Sequence, residues 1–418
     1  ARMTTQIEKP LVPSWLTAEI FEPVLKDSFK NFKKISKFNA TRGTKPGDNY
    51  ATIMLRIELE IELTDKTTQS ISYMLKLAHS SEAYQETLGQ NKNNIFDLER
   101  EMFTKYVPEF KKLYSDVGVD VEFGAKCYKL DVPYDHVLLE DLKARGVRPT
   151  NRLAGLDEPH CLALLKKLAQ WHAASAVRVA TIGPYPPRLL EGLFGEDSKI
   201  MMSKMTDGMA KYVQKSASTL EGHEAYYDDL KKMEGHIFEN VMDVGTIDPN
   251  EFNVLNHGDC WLSNIMFQYD QTTDKLLDSY LVDYQMCKYG NVAMDLLYLL
   301  ISSPKLELKL NKFDYFVKHY YDQLIRHLKL LNYTQKLPTL VDIHTQLLKY
   351  GIWGYATASG VMTGANLEPT DSASFENIFD DTQAGDDFRT LLFNGKQYRE
   401  HLKIVLPWLH NRGALQLR

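Results

Sequence analysis

Two runs of alternating apolar and polar residues, YATIMLRIELEIEL (50–63) and SISYMLKL (70–77), are joined by the polar segment TDKTTQ. Alternation with a period of two puts the apolar side chains on one face of a strand, and a polar turn between two such runs is typical of an antiparallel pair. Two shorter apolar runs, GAKCYKL (124–130) and HVLLEDL (136–142), read as further strands. The first third of the chain therefore predicts a small domain built on an antiparallel sheet.

Helical spacing of apolar residues dominates the rest of the chain. Between the predicted strands, residues 93–110 repeat apolar positions every three or four residues, and we expect Pro108 to end this helix. Three longer amphipathic runs follow at 157–178, 223–242 and 313–331. The predicted fold class is therefore α+β, with an N-terminal sheet domain and a larger, mainly helical C-terminal part.

Composition excludes several classes of function. Of 418 residues, 44% are hydrophobic and 25% charged, and the formal net charge is -6, so neither a nucleic-acid partner nor membrane insertion is expected. The four cysteines are far apart and form no C-x-x-C pair, which predicts a reducing compartment. The first residues contain Pro and charge where a signal peptide needs an apolar core, so we expect a cytoplasmic protein.

The stretch HGDCWLSNIMF (257–267) carries an Asp and an Asn five residues apart, directly before a predicted strand. The next strand ends at Asp283, and a hairpin between the two strands would bring Asp283 back to Asn264. Such oxygen ligands suit Mg²⁺, while Asp259 would accept the proton of an attacking hydroxyl in phosphoryl transfer. The alternative is a structural loop in which Asp259 caps a turn and His257 is a hydrogen-bonded core residue.

Phosphoryl transfer also needs groups that bind nucleotide phosphates. Lys76 lies in an apolar strand and Glu99 on the helix after it, the pairing that kinases use, although a strand Lys is equally often an exposed edge residue. The turn GTKPGDNYAT (43–52) could cover phosphates with backbone amides or simply be a hairpin turn. The small-residue stretch 349–364 could line an acceptor pocket or allow close helix packing.

Taken together, these segments resemble the ecdysteroid kinase-like family of insects and relatives, in the choline kinase and aminoglycoside phosphotransferase branch of the protein-kinase-like fold. The matching stretches span nearly the whole chain in order: KPGDNYAT, SYMLKLA, FDLEREMFTKYVPEF, VLLEDLKARG, KKLAQWHAASA, VLNHGDCWLSNIMF, LVDYQMCKYGNVAMDLLYLL and LPWLHNRGAL. The resemblance implies a bilobal fold with an N-terminal nucleotide-binding lobe (1–139), a hinge (140–146) and a C-terminal helical lobe with the catalytic and acceptor sites (147–418).

The resemblance also implies roles for single residues. Asp259 would be the catalytic base, and Asn264 and Asp283 would hold Mg²⁺. ATP would be held between the lobes, where Glu99 would orient Lys76 and residues 140–142 would lie at the hinge. The residues implied to bind ATP are Lys76, Glu99, Gly47, Asp48, Asn49, Tyr50, Glu140, Asp141 and Leu142.

The implied activity is transfer of phosphate from ATP to a hydroxyl of a small molecule, with an ecdysteroid or a related hydroxylated lipid or xenobiotic as the leading acceptor. A choline- or ethanolamine-type kinase is one alternative, and it needs aromatic rings around a quaternary ammonium. A catalytically silent, kinase-like binding protein is the other.

Overall fold

The computed structural model describes residues 12–43, 52–78, 95–195, 198–370 and 375–417. The chain divides into two compact units. The smaller contains the described residues up to 81 together with 125–142, and the larger contains those of 82–124 and 143–418. The limits of the nucleotide-binding lobe and hinge, which were drawn from the sequence, remain a prediction.

An antiparallel sheet forms the smaller unit, in the strand order β1-β2-β3-β5-β4. Its strands are β1 (Phe32–Arg42), β2 (Thr52–Leu63), β3 (Thr68–Ala78), β4 (Cys127–Tyr128) and β5 (His136–Glu140). A 3-10 helix (Ala18–Phe21) and α1 (Glu22–Ser28) precede them. The predicted hairpin is confirmed, because β2 and β3 pair in antiparallel register from Thr52 opposite Ala78 to Glu62 opposite Thr68.

Alternation in β2 supplies the core of this unit. Leu55, Ile57 and Ile61 are fully buried, and they belong to one cluster with Phe21 and Leu25 of the helical segment. The sequence did not predict β1, which pairs with β2 at the edge of the sheet. Its lysines are spaced among few apolar residues, a composition that protects an exposed edge strand from pairing with other chains.

Helices make up most of the larger unit. Those of the described residues are α2 (Ile95–Glu101), α3 (Val107–Ser115), α4 (Glu158–Ile182), α5 (Pro187–Glu191), α6 (Lys199–Ala217), α7 (Tyr227–Met233), α8 (Ile237–Val244), α9 (Ala293–Ser302), α10 (Leu306–Lys309), α11 (Phe313–Leu330), α12 (Leu340–Lys349), α13 (Ile352–Ser359), α14 (Val361–Ala365), α15 (Phe375–Phe379), α16 (Gln383–Asn394) and α17 (Lys396–Asn411). Shorter 3-10 helices are Leu142–Arg145, Arg152–Ala154, Gly192–Phe194, His223–Ala225, Leu262–Asn264 and Tyr284–Met286. The strands are β6 (Val147–Arg148), β7 (Asn253–Asn256), β8 (Ile265–Tyr269), β9 (Leu276–Leu281) and β10 (Lys288–Asn291).

The predicted class is confirmed, since an N-terminal antiparallel sheet precedes a mainly helical region. Two helix predictions were wrong in detail. Pro108 does not end a helix but lies in the first turn of α3, after a π-helical segment (Met102–Tyr106), where its missing N–H is tolerated. The run 223–242 is broken into α7 and α8 around Gly235, which adopts a left-handed conformation.

The buried helix α4 positions the strands that carry the candidate site. It packs against α11, and its Trp171 indole donates a hydrogen bond to the Leu255 carbonyl of β7 at 2.7 Å. β7 pairs with β10, and β8 pairs with β9 as predicted. Among the residues that the structure describes, no helix combines the length and apolar content needed to span a membrane.

The small-residue stretch 349–364 supports close helix packing. A Cβ added at Gly354 of α13 would lie 2.7 Å from a Leu409 methyl group of α17, and one at Gly351 would lie 2.9 Å from the Ala414 Cβ. These glycines therefore let the helices approach each other more closely than larger residues would allow.

Candidate active site

The loop 257–264 connects β7 to β8, and one glycine fixes its backbone. Gly258 has a φ of +82°, and a Cβ at this position would lie 1.9 Å from the carbonyl oxygen of Met286. No side chain fits there without moving the backbone that follows Asp283. The loop therefore keeps its path next to the segment 283–286.

A buried carboxylate on α9 holds the same loop. Asp295 accepts hydrogen bonds from the backbone N–H groups of His257 at 2.6 Å and Gly258 at 2.9 Å. The His172 Nε2 lies 3.1 Å from the same carboxylate, and the His172 Nδ1 lies 2.7 Å from the Tyr320 hydroxyl. Because Asp295 is fully buried and all these contacts are internal, its role is to position the loop.

The imidazole of His257 fixes the backbone of Asp259. Its Nε2 lies 3.0 Å from the Val282 carbonyl oxygen, and the Asp259 backbone N–H donates to its Nδ1 at 3.3 Å. A carbonyl only accepts and an N–H only donates, so His257 is neutral with its proton on Nε2. Burial lowers its pKa, which favours the same state.

Two side chains hold the carboxylate of Asp259. The Tyr298 hydroxyl donates to Oδ1 at 2.5 Å, and the Asn264 side-chain amide donates to Oδ2 at 2.7 Å and to the Asp259 carbonyl at 3.1 Å. Burial raises the pKa of Tyr298 well above its usual value, so the phenol remains protonated as the donor. The orientation of the carboxylate is thereby fixed.

The β8-β9 hairpin brings Asp283 beside Asn264, as its sequence predicts. The Val282 N–H donates to the Asn264 carbonyl oxygen at 3.0 Å, directly before Asp283. Because the Asn264 amide nitrogen faces Asp259, its side-chain oxygen is left to act as a ligand. Asp283 itself adopts a left-handed conformation with φ 68° and ψ 64°, which is uncommon outside glycine and concentrated at functional sites.

This donor set fits Mg²⁺, which prefers carboxylate and amide oxygens and few protein ligands. Within the described residues, no group of three or more His, Cys, Asp or Glu side chains is arranged to hold a metal ion. The pair Asn264 and Asp283, which the sequence predicts as metal ligands, is the candidate site for such an ion.

Behind Asp283, a layer of buried aromatic rings fixes the next residue. Tyr284 stacks on Trp171, contacts Phe103 edge-on, and donates its hydroxyl to the Phe123 carbonyl at 3.1 Å. Helix α2, which carries the buried Glu99, packs against the 3-10 helix that starts at Tyr284. Glu99 thus lies on the helix that supports the Asp283 segment.

The predicted lysine lies in the smaller unit. Lys76 is only 3% exposed and lies on the central strand β3, opposite Met54 of β2 and Val137 of β5. The alternative of an exposed edge lysine is therefore wrong, because β3 has a neighbouring strand on each side.

The predicted adenine contacts at the hinge, Glu140, Asp141 and Leu142, lie at the end of β5 and directly after it in the smaller unit. The carboxylate of Asp141 accepts hydrogen bonds from Arg56 at 2.8 Å and Ser72 at 2.7 Å, so its side chain secures the strand end. Glu140 is the last residue of β5, and Leu142 begins a 3-10 helix. Four other predicted nucleotide contacts lie outside the described residues: Gly47, Asp48, Asn49 and Tyr50.

Tyr298 was missed by reasoning from the sequence. It follows Asp295 by three residues on α9, and this spacing places both side chains on the side of the helix that faces the loop 257–264. The signal was present as helical spacing, but only the structure shows that the phenol reaches Asp259.

Comparison with known proteins identifies the family. The model of the ecdysteroid kinase-like family matches residues 46–333, more than half of the chain. The chain belongs to the ecdysteroid kinase-like family. Membership indicates a kinase-like small-molecule phosphotransferase and suggests the use of ATP and Mg²⁺. A search of curated proteins gives no match.

Proposed function

We propose that this member of the ecdysteroid kinase-like family is an ATP- and Mg²⁺-dependent kinase that phosphorylates a hydroxyl group of a small molecule. An ecdysteroid or a related hydroxylated lipid or xenobiotic is the leading acceptor. The observation that carries the proposal is the Asp259 carboxylate, held by Tyr298 and Asn264 in a loop that Asp295 and Gly258 fix. A carboxylate held in this way suits a general base.

In the proposed reaction, Asp259 accepts the proton of the acceptor hydroxyl while the oxygen of that hydroxyl forms a bond to the γ-phosphorus of ATP. The bond from that phosphorus to the β,γ-bridging oxygen breaks, and ADP leaves with the electron pair. Asn264 and Asp283 would hold Mg²⁺, which neutralises charge on the phosphates when bound. Lys76 is proposed to contact phosphates and Glu99 to orient it, with Glu140, Asp141 and Leu142 proposed at the adenine.

A reducing, cytoplasmic location is part of the proposal. Among the described residues, Cys161, Cys260 and Cys287 are free. Cys161, Cys260 and Cys287 are also buried, and burial raises the pKa of their thiols, which makes them poor nucleophiles.

Incubation with ATP, Mg²⁺ and a panel of hydroxylated compounds tests the proposal. We expect a product with the added mass of one phosphate group, formed from a polyhydroxylated steroid or xenobiotic. Phosphorylation of choline or ethanolamine alone would replace the proposed acceptor class. Thermal stabilisation by the compounds without any product would indicate the catalytically silent alternative.

A further inference from the structure

An ion pair at the last residue of α2 ties this helix, which carries the buried Glu99, to the rest of the larger unit. The Arg188 guanidinium of α5 pairs with the Glu101 carboxylate, and the two side chains are only 31% and 24% exposed. Because α2 has seven residues, about two turns, its position depends on tertiary contacts more than on its own hydrogen bonds. Arg188 is therefore placed to fix where the end of α2 lies.

The Glu101 carboxylate also contacts a buried phenol. Tyr106 is fully buried, and its hydroxyl donates to Glu101 at 3.4 Å. The π-helical segment between the two residues, whose hydrogen bonds join positions five apart, brings their side chains onto one side. Burial raises the pKa of Tyr106, so its phenol stays protonated as the donor. A carboxylate held by both a cation and a phenol is better ordered than one in an exposed surface ion pair.

Helix α5 is anchored on its other side to the strand that follows Asp283. The buried Lys288 ammonium of β10 donates to the Leu190 carbonyl at 2.6 Å and to the Gly245 carbonyl at 2.9 Å. Lys288 is the first residue of β10 and follows Asp283 by five residues. Helix α5 therefore connects the helix of Glu99 with the segment of Asp283, the proposed metal ligand.

Glu99 and Glu101 lie on different sides of α2. Residues two apart on an α-helix are rotated by about 200° about its axis, so Arg188 holds the helix from the side roughly opposite Glu99. The burial of the two residues agrees with this, since Glu99 is buried and Glu101 is partly exposed. Loss of the ion pair would therefore let Glu99 move without changing any of its own atoms.

We propose that Arg188 is a positioning residue for nucleotide binding. Its ion pair with Glu101 holds α2 in the position from which Glu99 orients Lys76. This inference rests on the proposed function for the roles of Glu99 and Lys76. It adds α5, a segment outside the predicted nucleotide and metal contacts.

Binding of AMP-PNP with Mg²⁺, a non-hydrolysable analogue of ATP, tests the inference by calorimetry on the full chain. Arg188→Gln and Glu101→Gln each remove the ion pair, whereas Arg188→Lys keeps the cation. Lys312→Gln is the matched control, because Lys312 pairs with Glu158 at similar exposures of 39% and 33%. That pair joins the start of α4 to the start of α11 rather than to α2.

We expect Arg188→Gln and Glu101→Gln each to bind AMP-PNP about five- to tenfold more weakly than the wild type. Arg188→Lys should recover most of the affinity, and Lys312→Gln should bind as the wild type does. A double-mutant cycle with Glu99→Gln separates positioning from a general loss of structure. In the Glu99→Gln background, Arg188→Gln should cause no more than about a twofold further loss, because the residue through which it acts has been changed.

Wild-type affinity of Arg188→Gln, or an undiminished loss in the Glu99→Gln background, overturns the inference. An equal loss in Lys312→Gln does the same, and in each case product formation by the wild type leaves the proposed function standing. A coupled cycle without any phosphorylated product, when ATP and the acceptor panel are supplied, keeps the inference and removes the proposed function. Failure of the wild type to bind AMP-PNP removes both.

Discussion

Both oxygens of the Asp259 carboxylate accept a hydrogen bond, from Tyr298 on one side and Asn264 on the other. The second contact has an additional consequence, because turning the Asn264 nitrogen toward Asp259 leaves the side-chain oxygen as the atom that we propose binds Mg²⁺. The five-residue spacing in the sequence predicted this pair, but the spacing contained no information about Tyr298. A hydroxyl contact between a helix and a distant loop depends on packing, which local sequence patterns do not encode.

At the residue scale, Tyr298→Phe tests the hydrogen bond from the Tyr298 hydroxyl to Asp259, the proposed base. The variant loses a hydrogen bond to the ionised carboxylate, a contact worth about 1.5 kcal/mol, so the acid limb of the kcat/KM profile should move about one pH unit higher. Tyr114→Phe removes a buried hydroxyl that donates only to the Gln170 carbonyl, and it should leave the profile unchanged. An unshifted profile for Tyr298→Phe would show that the phenol does not act on Asp259.

At the scale of elements, the strength of the local pattern decided what the sequence could predict. The β2-β3 and β8-β9 hairpins were predicted because alternation and turn residues agree there. The edge strand β1 was missed because its lysines hide the alternation, and Pro108 was misread because a π-helical segment allows a helix to start there. The loop 257–264 has no periodicity, so its shape depends on Gly258 and Asp295, which tertiary contacts select.

Gly258→Ala should disable the loop that carries Asp259. The new Cβ would lie 1.9 Å from the Met286 carbonyl, so the backbone must move, and activity should fall about a hundredfold or more. Gly222→Ala is the matched control, since its φ of +78° carries the same conformational cost but its Cβ meets nothing within 4 Å. Melting curves should show that both variants lose stability. Steady-state kinetics should show a loss of kcat only in Gly258→Ala. Equal kcat in both variants would contradict the account of the loop.

At the scale of the whole molecule, the family and the α+β class followed from segments spread along the chain, and both are confirmed. A cavity of about 380 Å³ in the larger unit could not be predicted in this way. Its four lining segments are separated by up to about 250 residues, and no local motif marks them. For the small-residue stretch 349–364, the sequence left open either a pocket lining or close helix packing. The stretch contributes none of the residues that line this cavity, and its glycines allow close packing.

A buried lysine near this cavity gives the larger unit a pH-dependent stability. Burial lowers the pKa of Lys309 to about 7, whereas burial and the charge of Lys309 lower that of His401 to about 3. Because the unfolded chain binds the Lys309 proton more tightly than the folded chain, stability should rise by about 2 kcal/mol between pH 7 and pH 9.

Thermal melting of Lys309→Met checks this link between the protonation of Lys309 and stability. The wild type should gain several degrees in Tm over that pH range relative to Lys309→Met, because the variant has no group to deprotonate. The exposed Lys329→Met should follow the wild type. Parallel pH dependence in the wild type and Lys309→Met would show that the buried amine does not lose its proton on folding.

The central claim is that Asp259 is the base of a small-molecule kinase, and the most direct test is the initial rate of phosphate transfer by Asp259→Asn. With the acceptor that the panel identifies, we expect the rate to fall about 10²- to 10⁴-fold while the melting temperature stays close to that of the wild type. Asp322→Asn, a change at an exposed carboxylate on α11, should retain full activity. Turnover by Asp259→Asn at the wild-type rate would contradict the account.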